Sequence, residues 1–119
     1  MVGSGGLVVM NKTTCMVNIA KYFMQFTQNE SCGKCVPCRL GSQKMASLGT
    51  HLLEGKIEAE RWKSELLPLM KDLSKAIELA SICGLGRSVP VPLRAVTSFF
   101  DSDVTSHLKT NSKPVAQTT

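Results

Sequence analysis

Apolar residues recur at helical spacing in four stretches of this chain. The first follows Asn11 and Thr13, either of which makes a good helix N-cap. Met16, Ile19, Ala20, Phe23 and Thr27 fall on one face, and Val17, Met24 and Phe26 widen it. This helix is expected to end near Gln28 and Asn29. A second helix is predicted from about Pro37, a residue that suits a first helical turn. Met45, Leu48, Gly49 and Leu52 form its stripe, and Gly55 ends it. Gly41 and Gly49 lower helix propensity and are expected to permit close packing. A third helix starts near Glu58, with Trp62, Leu66, Leu69, Met70, Leu73, Ile77 and Ala80 in line. Pro68 has no amide proton and its ring crowds the preceding turn, so a kink or split is expected near Leu67. Pro90 and Pro92 lead into a fourth helix, whose inner face reads Leu93, Val96, Phe99, Phe100 and Val104.

The two ends depart from this pattern. Leu7-Val8-Val9-Met10 is a short, partly β-branched run after a glycine-rich start. It reads as a strand or an extended segment, and no later run offers it a partner. An unpaired strand leaves its backbone groups open. Residues 1–12 are therefore expected to close an upstream domain of a longer protein. Residues 13–108 are expected to form the helical domain, and 109–119, polar throughout, a disordered tail. The fold class predicted is all-α: a four-helix bundle with a short N-terminal strand or extended segment and two functional loops at one end.

Composition narrows the choices. A chain of 119 residues suits one compact domain. With aromatics at only 5%, aliphatic residues and six Met must fill the core. The net charge of +5 comes without a stacking platform or a recognisable basic module, so nucleic-acid binding is not expected. No apolar run is long enough to insert in a bilayer. Five Cys with nothing resembling a signal peptide point to metal chemistry in a reducing, cytoplasmic compartment rather than to disulfides.

The chemistry concentrates in Ser31-Cys32-Gly33-Lys34-Cys35-Val36-Pro37-Cys38. Three cysteines at every third residue can wrap three corners of a cubic cluster. Gly33 allows the tight turn between ligands, and Pro37 sets the bend before the last. Cys38 then falls in the first turn of the second helix, where free amides and the dipole favour an anion. The fourth corner needs a remote thiolate, and Cys83, in Ser81-Ile82-Cys83-Gly84-Leu85-Gly86, can supply it. A CxxCxxC run with one distant Cys favours a [4Fe–4S] cluster held by Cys32, Cys35, Cys38 and Cys83. Zinc is the competing metal, although its four-cysteine sites usually come as two CxxC pairs. In that alternative the chain is a structural zinc-binding module for protein interaction. Four reduced thiols with no metal form the remaining reading. Backbone amides of Gly33 and Lys34 could stabilise a reduced cluster. Lys34 and Arg39 place positive charge beside it, and Arg39 reads equally well as solvated surface charge. Cys15 reads as a small core residue, and His51 and His107 as surface residues. No catalytic residue is expected.

These same segments carry a family resemblance. Gly3-Ser4-Gly5-Gly6-Leu7-Val8-Val9-Met10, Cys15-Met16-Val17, Tyr22-Phe23, Glu30-Ser31-Cys32-Gly33-Lys34-Cys35-Val36-Pro37-Cys38-Arg39 and Ser81-Ile82-Cys83-Gly84-Leu85-Gly86 stand out. The chain resembles the C-terminal iron–sulfur domain of the NADH-oxidising flavoprotein subunit of respiratory complex I. That subunit type also occurs in NAD(P)-reducing hydrogenases and formate dehydrogenases. Thr14-Cys15-Met16-Val17 leans towards the hydrogenase-type members. The resemblance covers roughly residues 3–108. It implies one [4Fe–4S] cluster on Cys32, Cys35, Cys38 and Cys83 that takes electrons from FMN. FMN and NAD(P) would belong to the missing upstream domain. The implied partners are that domain and other iron–sulfur subunits of an oxidoreductase complex.

Overall fold

The computed structural model describes residues 5–108. The expectation of a disordered 109–119 lies outside the described residues, as do Met1 to Ser4. Seven α-helices follow in order: α1 (Met16–Glu30), α2 (Val36–Leu53), α3 (Ala59–Arg61), α4 (Leu67–Ala80), α5 (Gly84–Ser88), α6 (Val91–Phe99) and α7 (Asp101–His107). A π-helical turn, Trp62–Leu66, joins α3 to α4. The fold is all-α. Its four rods are α1, α2, the α3–π–α4 run and the α6–α7 pair, with α5 as a short link. The strand reading of Leu7 to Met10 is corrected: these residues form no strand, and Leu7, Val8 and Val9 lie open to solvent. With no partner strand among the described residues, nothing satisfies a ladder there.

Glycine decides how the rods approach. A side chain on Gly41 would begin 2.6 Å from Cδ1 of Ile77, so α2 and α4 meet there backbone to side chain. A side chain on Gly49 would begin 2.5 Å from Cε of Met24. That second contact corrects the predicted face of α1. Val17, Ala20 and Met24 are buried, while Phe23 and Phe26 are 40% and 54% exposed. The slot above Gly49 admits a slender, flexible Met, and turning Met24 inward carries both Phe residues outward. Met45, Leu52, Trp62, Met70, Ile77, Leu93 and Val96 complete the core much as expected.

Pro68 breaks the third rod as predicted, and does so by widening the preceding turn. Leu67 donates its N–H five residues back, to Trp62 O, which eases the proline ring past the helix wall. Leu69, placed on the inner stripe by a regular helical count, is instead half exposed. The fourth rod also breaks, at Phe100 (φ −127°, ψ 46°), between α6 and α7. The break rotates the register, so Phe99 and Phe100 point outward while Val104 and Leu108 are buried.

The start of α1 is held from across the molecule. Neither Asn11 nor Thr13 caps it. The Asn11 carboxamide oxygen accepts from the Thr13 N–H (3.1 Å) and the Thr14 hydroxyl (3.2 Å), closing a turn before the helix. Cys15 occupies the N-cap position without a side-chain cap bond. The N–H of Met16 donates instead to Oδ2 of Asp103 in α7, at 3.1 Å. A carboxylate at the positive end of a helix is favourable, and this one ties the first rod to the last.

Candidate metal centre

The two cysteine loops lie at one end of the bundle. Each follows the C-terminus of a rod: Ser31 is the C-cap of α1 and Ser81 the C-cap of α4. Cys32 is exposed, Cys35 is half-buried as the N-cap of α2, and Cys38 is buried in the first turn of α2. Gly33 takes φ +73°, the left-handed turn expected between the first two cysteines. Nη1 of Arg39 donates to Gly33 O at 2.8 Å, so this exposed guanidinium fastens the loop back onto α2. Lys34 is exposed. Cys83, also exposed, is the extended N-cap of α5. Where the pattern around Gly84 and Gly86 predicts a loop, the chain closes into a short helix. The Arg87 N–H reaches Cys83 O (3.3 Å), and Arg87 Nε donates to Ser81 O (3.3 Å).

Two contacts join the loops, and a third closes the first loop on itself. Gly86 of α5 sits against α2: a side chain there would begin 3.0 Å from Cβ of Cys38 and 2.5 Å from Oγ of Ser81. The backbone amide of Ile82, next to Cys83, lies within reach of Cys35. It is the main cause that holds the Cys35 thiol below its usual range; the amide of Cys38 adds to this, partial desolvation opposes it, and the Cys35 amide and the Arg39 charge assist. Third, Ser31 Oγ lies 3.2 Å from Sγ of Cys38 and accepts the Gly33 N–H at 3.3 Å. All five cysteines are free thiols. No group of three or more His, Cys, Asp or Glu side chains among the described residues converges as on a single ion.

These features fit a four-iron cluster. Such a cluster needs four thiolates at its corners and donors to its sulfurs. Two loops carrying four free thiols adjoin, backbone amides face one of them, and the hydroxyl of Ser81 is buried with no hydrogen-bond partner. The lowered Cys35 thiol leads to a prediction. In the metal-free chain, alkylation of Cys35 should reach half its maximal rate at lower pH than alkylation of a cysteine in an unstructured peptide. Mass-spectrometric mapping of alkylation across pH 6 to 10 measures this, and coincident profiles would contradict the amide geometry.

Cys15 stands apart. It begins α1, whereas Cys32 lies beyond its end, and 15 residues of helix span about 22 Å. Its Sγ lies 3.1 Å from Nε2 of His107. His107 is thus half-buried and paired rather than a surface residue, a contact across 92 positions that no local pattern announces. His51 is exposed as expected. It lines a groove of about 370 Å³ with Lys44, Lys56, Arg61 and Leu66, which contains no cysteine.

A helical bundle with free thiols in two adjoining end loops defines a class: an all-α domain built to hold a thiolate-ligated metal group. Comparison with known proteins makes this particular. The chain belongs to the family described as the NADH-ubiquinone oxidoreductase-F iron-sulfur binding region, whose pattern matches residues 18–107. It is a [4Fe–4S] electron-transfer domain of that family. The NADP-reducing hydrogenase subunit HndC of Solidesulfovibrio fructosivorans is 38% identical over 109 residues, covering 91% of this chain and 21% of the relative. The F 2 subunit of NADH-quinone oxidoreductase of Rhizobium meliloti (strain 1021) is 35% identical, covering 92% of this chain and 25% of the relative. A crystal structure of an NAD+-reducing [NiFe]-hydrogenase in the H2-reduced state superposes with TM-score 0.76 at 28% identity, over 91% of this chain and 18% of that one. The chain thus spans a quarter or less of these relatives. No helix among the described residues is long and apolar enough to cross a membrane.

Proposed function

We propose that Cys32, Cys35, Cys38 and Cys83 ligate the cluster, and that the domain relays electrons delivered by a flavin in an NAD(P)H-dependent oxidoreductase. When bound, the cluster supplies a one-electron carrier that changes little in shape between redox states. The chain's own residues supply the setting. Gly33 turns the first loop, Arg39 fastens it, and the amides of Ile82 and Cys38 favour a thiolate at Cys35. Lys34 and Arg39 contribute positive charge beside an anionic centre. The observation that carries the ligand set is the junction at Gly86, where the Cys38 turn and the Cys83 loop pack against each other.

FMN and NAD(P) belong, in this proposal, to an upstream domain of a longer chain, which residues 1–12 adjoin. Support comes from the relatives, named as NADP-reducing hydrogenase and NADH-quinone oxidoreductase subunits, of which the match occupies only a part. Further iron–sulfur subunits are the proposed acceptors, in a cytoplasmic assembly. The test is elemental analysis with visible and EPR spectra on anaerobically prepared chain. About four irons and four sulfides per chain are expected, with brown colour that bleaches on reduction. About one zinc and no iron would replace this proposal with a structural metal site.

A further inference from the structure

We propose that Ser31 and Ser81 are positioning residues whose hydroxyls donate to the sulfurs around Cys38 and raise the reduction potential of the cluster. The inference rests on Cys38 being a ligand.

Ser31 already holds the required geometry. Its Oγ accepts the Gly33 N–H at 3.3 Å and lies 3.2 Å from Cys38 Sγ. An oxygen that accepts from an amide keeps its own proton to give, and a thiolate can only accept it.

Ser81 adds the independent observation. It is 2% exposed, and its hydroxyl has no partner. Its backbone is fully used: the N–H donates to Ile77 O at 3.1 Å, and the carbonyl accepts from Arg87 Nε at 3.3 Å. The usual escape for a helical serine is the carbonyl four residues back, which Ser74 takes with Met70 O at 2.6 Å. Ser81 does not take it. Native proteins rarely bury an unpaired hydroxyl, because its lost hydration goes unrepaid. The surroundings indicate the missing acceptor. The hydroxyl of Ser81 and Cβ of Cys38 flank the same point at Gly86, at 2.5 and 3.0 Å from where a side chain would begin. Sulfur on the cluster side of Cys38 is the acceptor this pocket lacks.

The effect on potential follows from charge. Reduction by one electron, taken from an added reductant, increases the negative charge on the sulfurs without moving a proton. A fixed O–H donor therefore stabilises the reduced form more than the oxidised form. Two such donors beside Cys38 act in the same direction.

The test uses the full chain, loaded with iron and sulfide under anaerobic conditions, and EPR-monitored redox titration with dithionite. Ser81→Ala and Ser31→Ala should each lower the midpoint potential at unchanged iron content, and the double variant should lie lowest. Ser81→Thr, which keeps the hydroxyl, should return to the parent value. A double variant with full iron and the parent's potential overturns the proposal. A second measurement needs no cluster: metal-free Ser81→Ala should melt at or above the parent, because an unpaired buried hydroxyl has been removed. A markedly lower melting temperature would show that the hydroxyl serves the apo fold, and would equally overturn it. A Cys38→Ser chain that retains all its iron with the parent's EPR signal would instead refute the ligand reading, and the serine proposal with it.

Discussion

Cys83→Ser is expected to leave a folded chain that fails to hold a four-iron cluster. Cys83 is alone in its loop, and the three other thiols share one turn of the backbone. No neighbour can substitute for it. Cys15, the fifth thiol, begins α1 and lies a helix length from the Cys32 loop. The side chain of Cys83 is exposed, so its exchange should alter metal-free stability by no more than about 0.5 kcal/mol. Iron per chain in anaerobic preparations should fall to less than about half the parent value, with loss of the parent's reduced EPR signal. Cys15→Ser, the matched control, should keep both. Full iron with the parent's EPR signal in the Cys83 variant would remove it from the ligand set.

Gly86→Ala carries the second large effect. The added methyl would begin 2.5 Å from Oγ and 2.6 Å from Cβ of Ser81, and 3.0 Å from Cβ of Cys38. Two of these atoms are the first carbons of their side chains, so they cannot swing aside without backbone movement. Overpacking of this kind costs about 1–3 kcal/mol. In a domain of this size each kcal/mol lowers the melting temperature by about 4–8 °C. The same wedge parts the two cysteine loops, so iron loading should fall as well. Gly84→Ala tests the same helix without the wedge, because a side chain there meets nothing within 4 Å. It should melt within about 0.5 kcal/mol of the parent. Equal behaviour of the two variants in calorimetry of the metal-free chain would show that the junction at Gly86 yields freely.

The legible part of this molecule is the part governed by local pattern. The α2 stripe, the stop at Gly55 (φ +69°), the close approaches at Gly41 and Gly49 and the break before Pro68 all follow from residues within a turn or two. The meeting of the Cys32 and Cys83 loops is not local in this sense; it is expected because a metal held by a three-plus-one cysteine grouping would require it. Where packing partners decide, the pattern misleads. Phe23 outranks Met24 in apolar area, yet the slot above Gly49 takes Met24. Phe99 and Phe100 fit a continuous helix, but the turn at Phe100 rotates them outward. Asp103 capping α1 and His107 against Cys15 connect positions 87 and 92 residues apart. Contacts of that range leave no periodic trace in the residues that make them. The role proposed for Ser81 is equally invisible in the sequence, because only burial distinguishes it from an ordinary C-cap serine.

The bond from Met16 to Asp103 and the contact of Cys15 with His107 share the pole remote from the two cysteine loops. Polypeptide therefore enters the first rod and leaves the last through a single doorway. Any neighbour attached on either side is anchored at the bundle's foot. If the cysteine loops hold the cluster as proposed, the first rod sets a separation of about 22 Å between it and that foot.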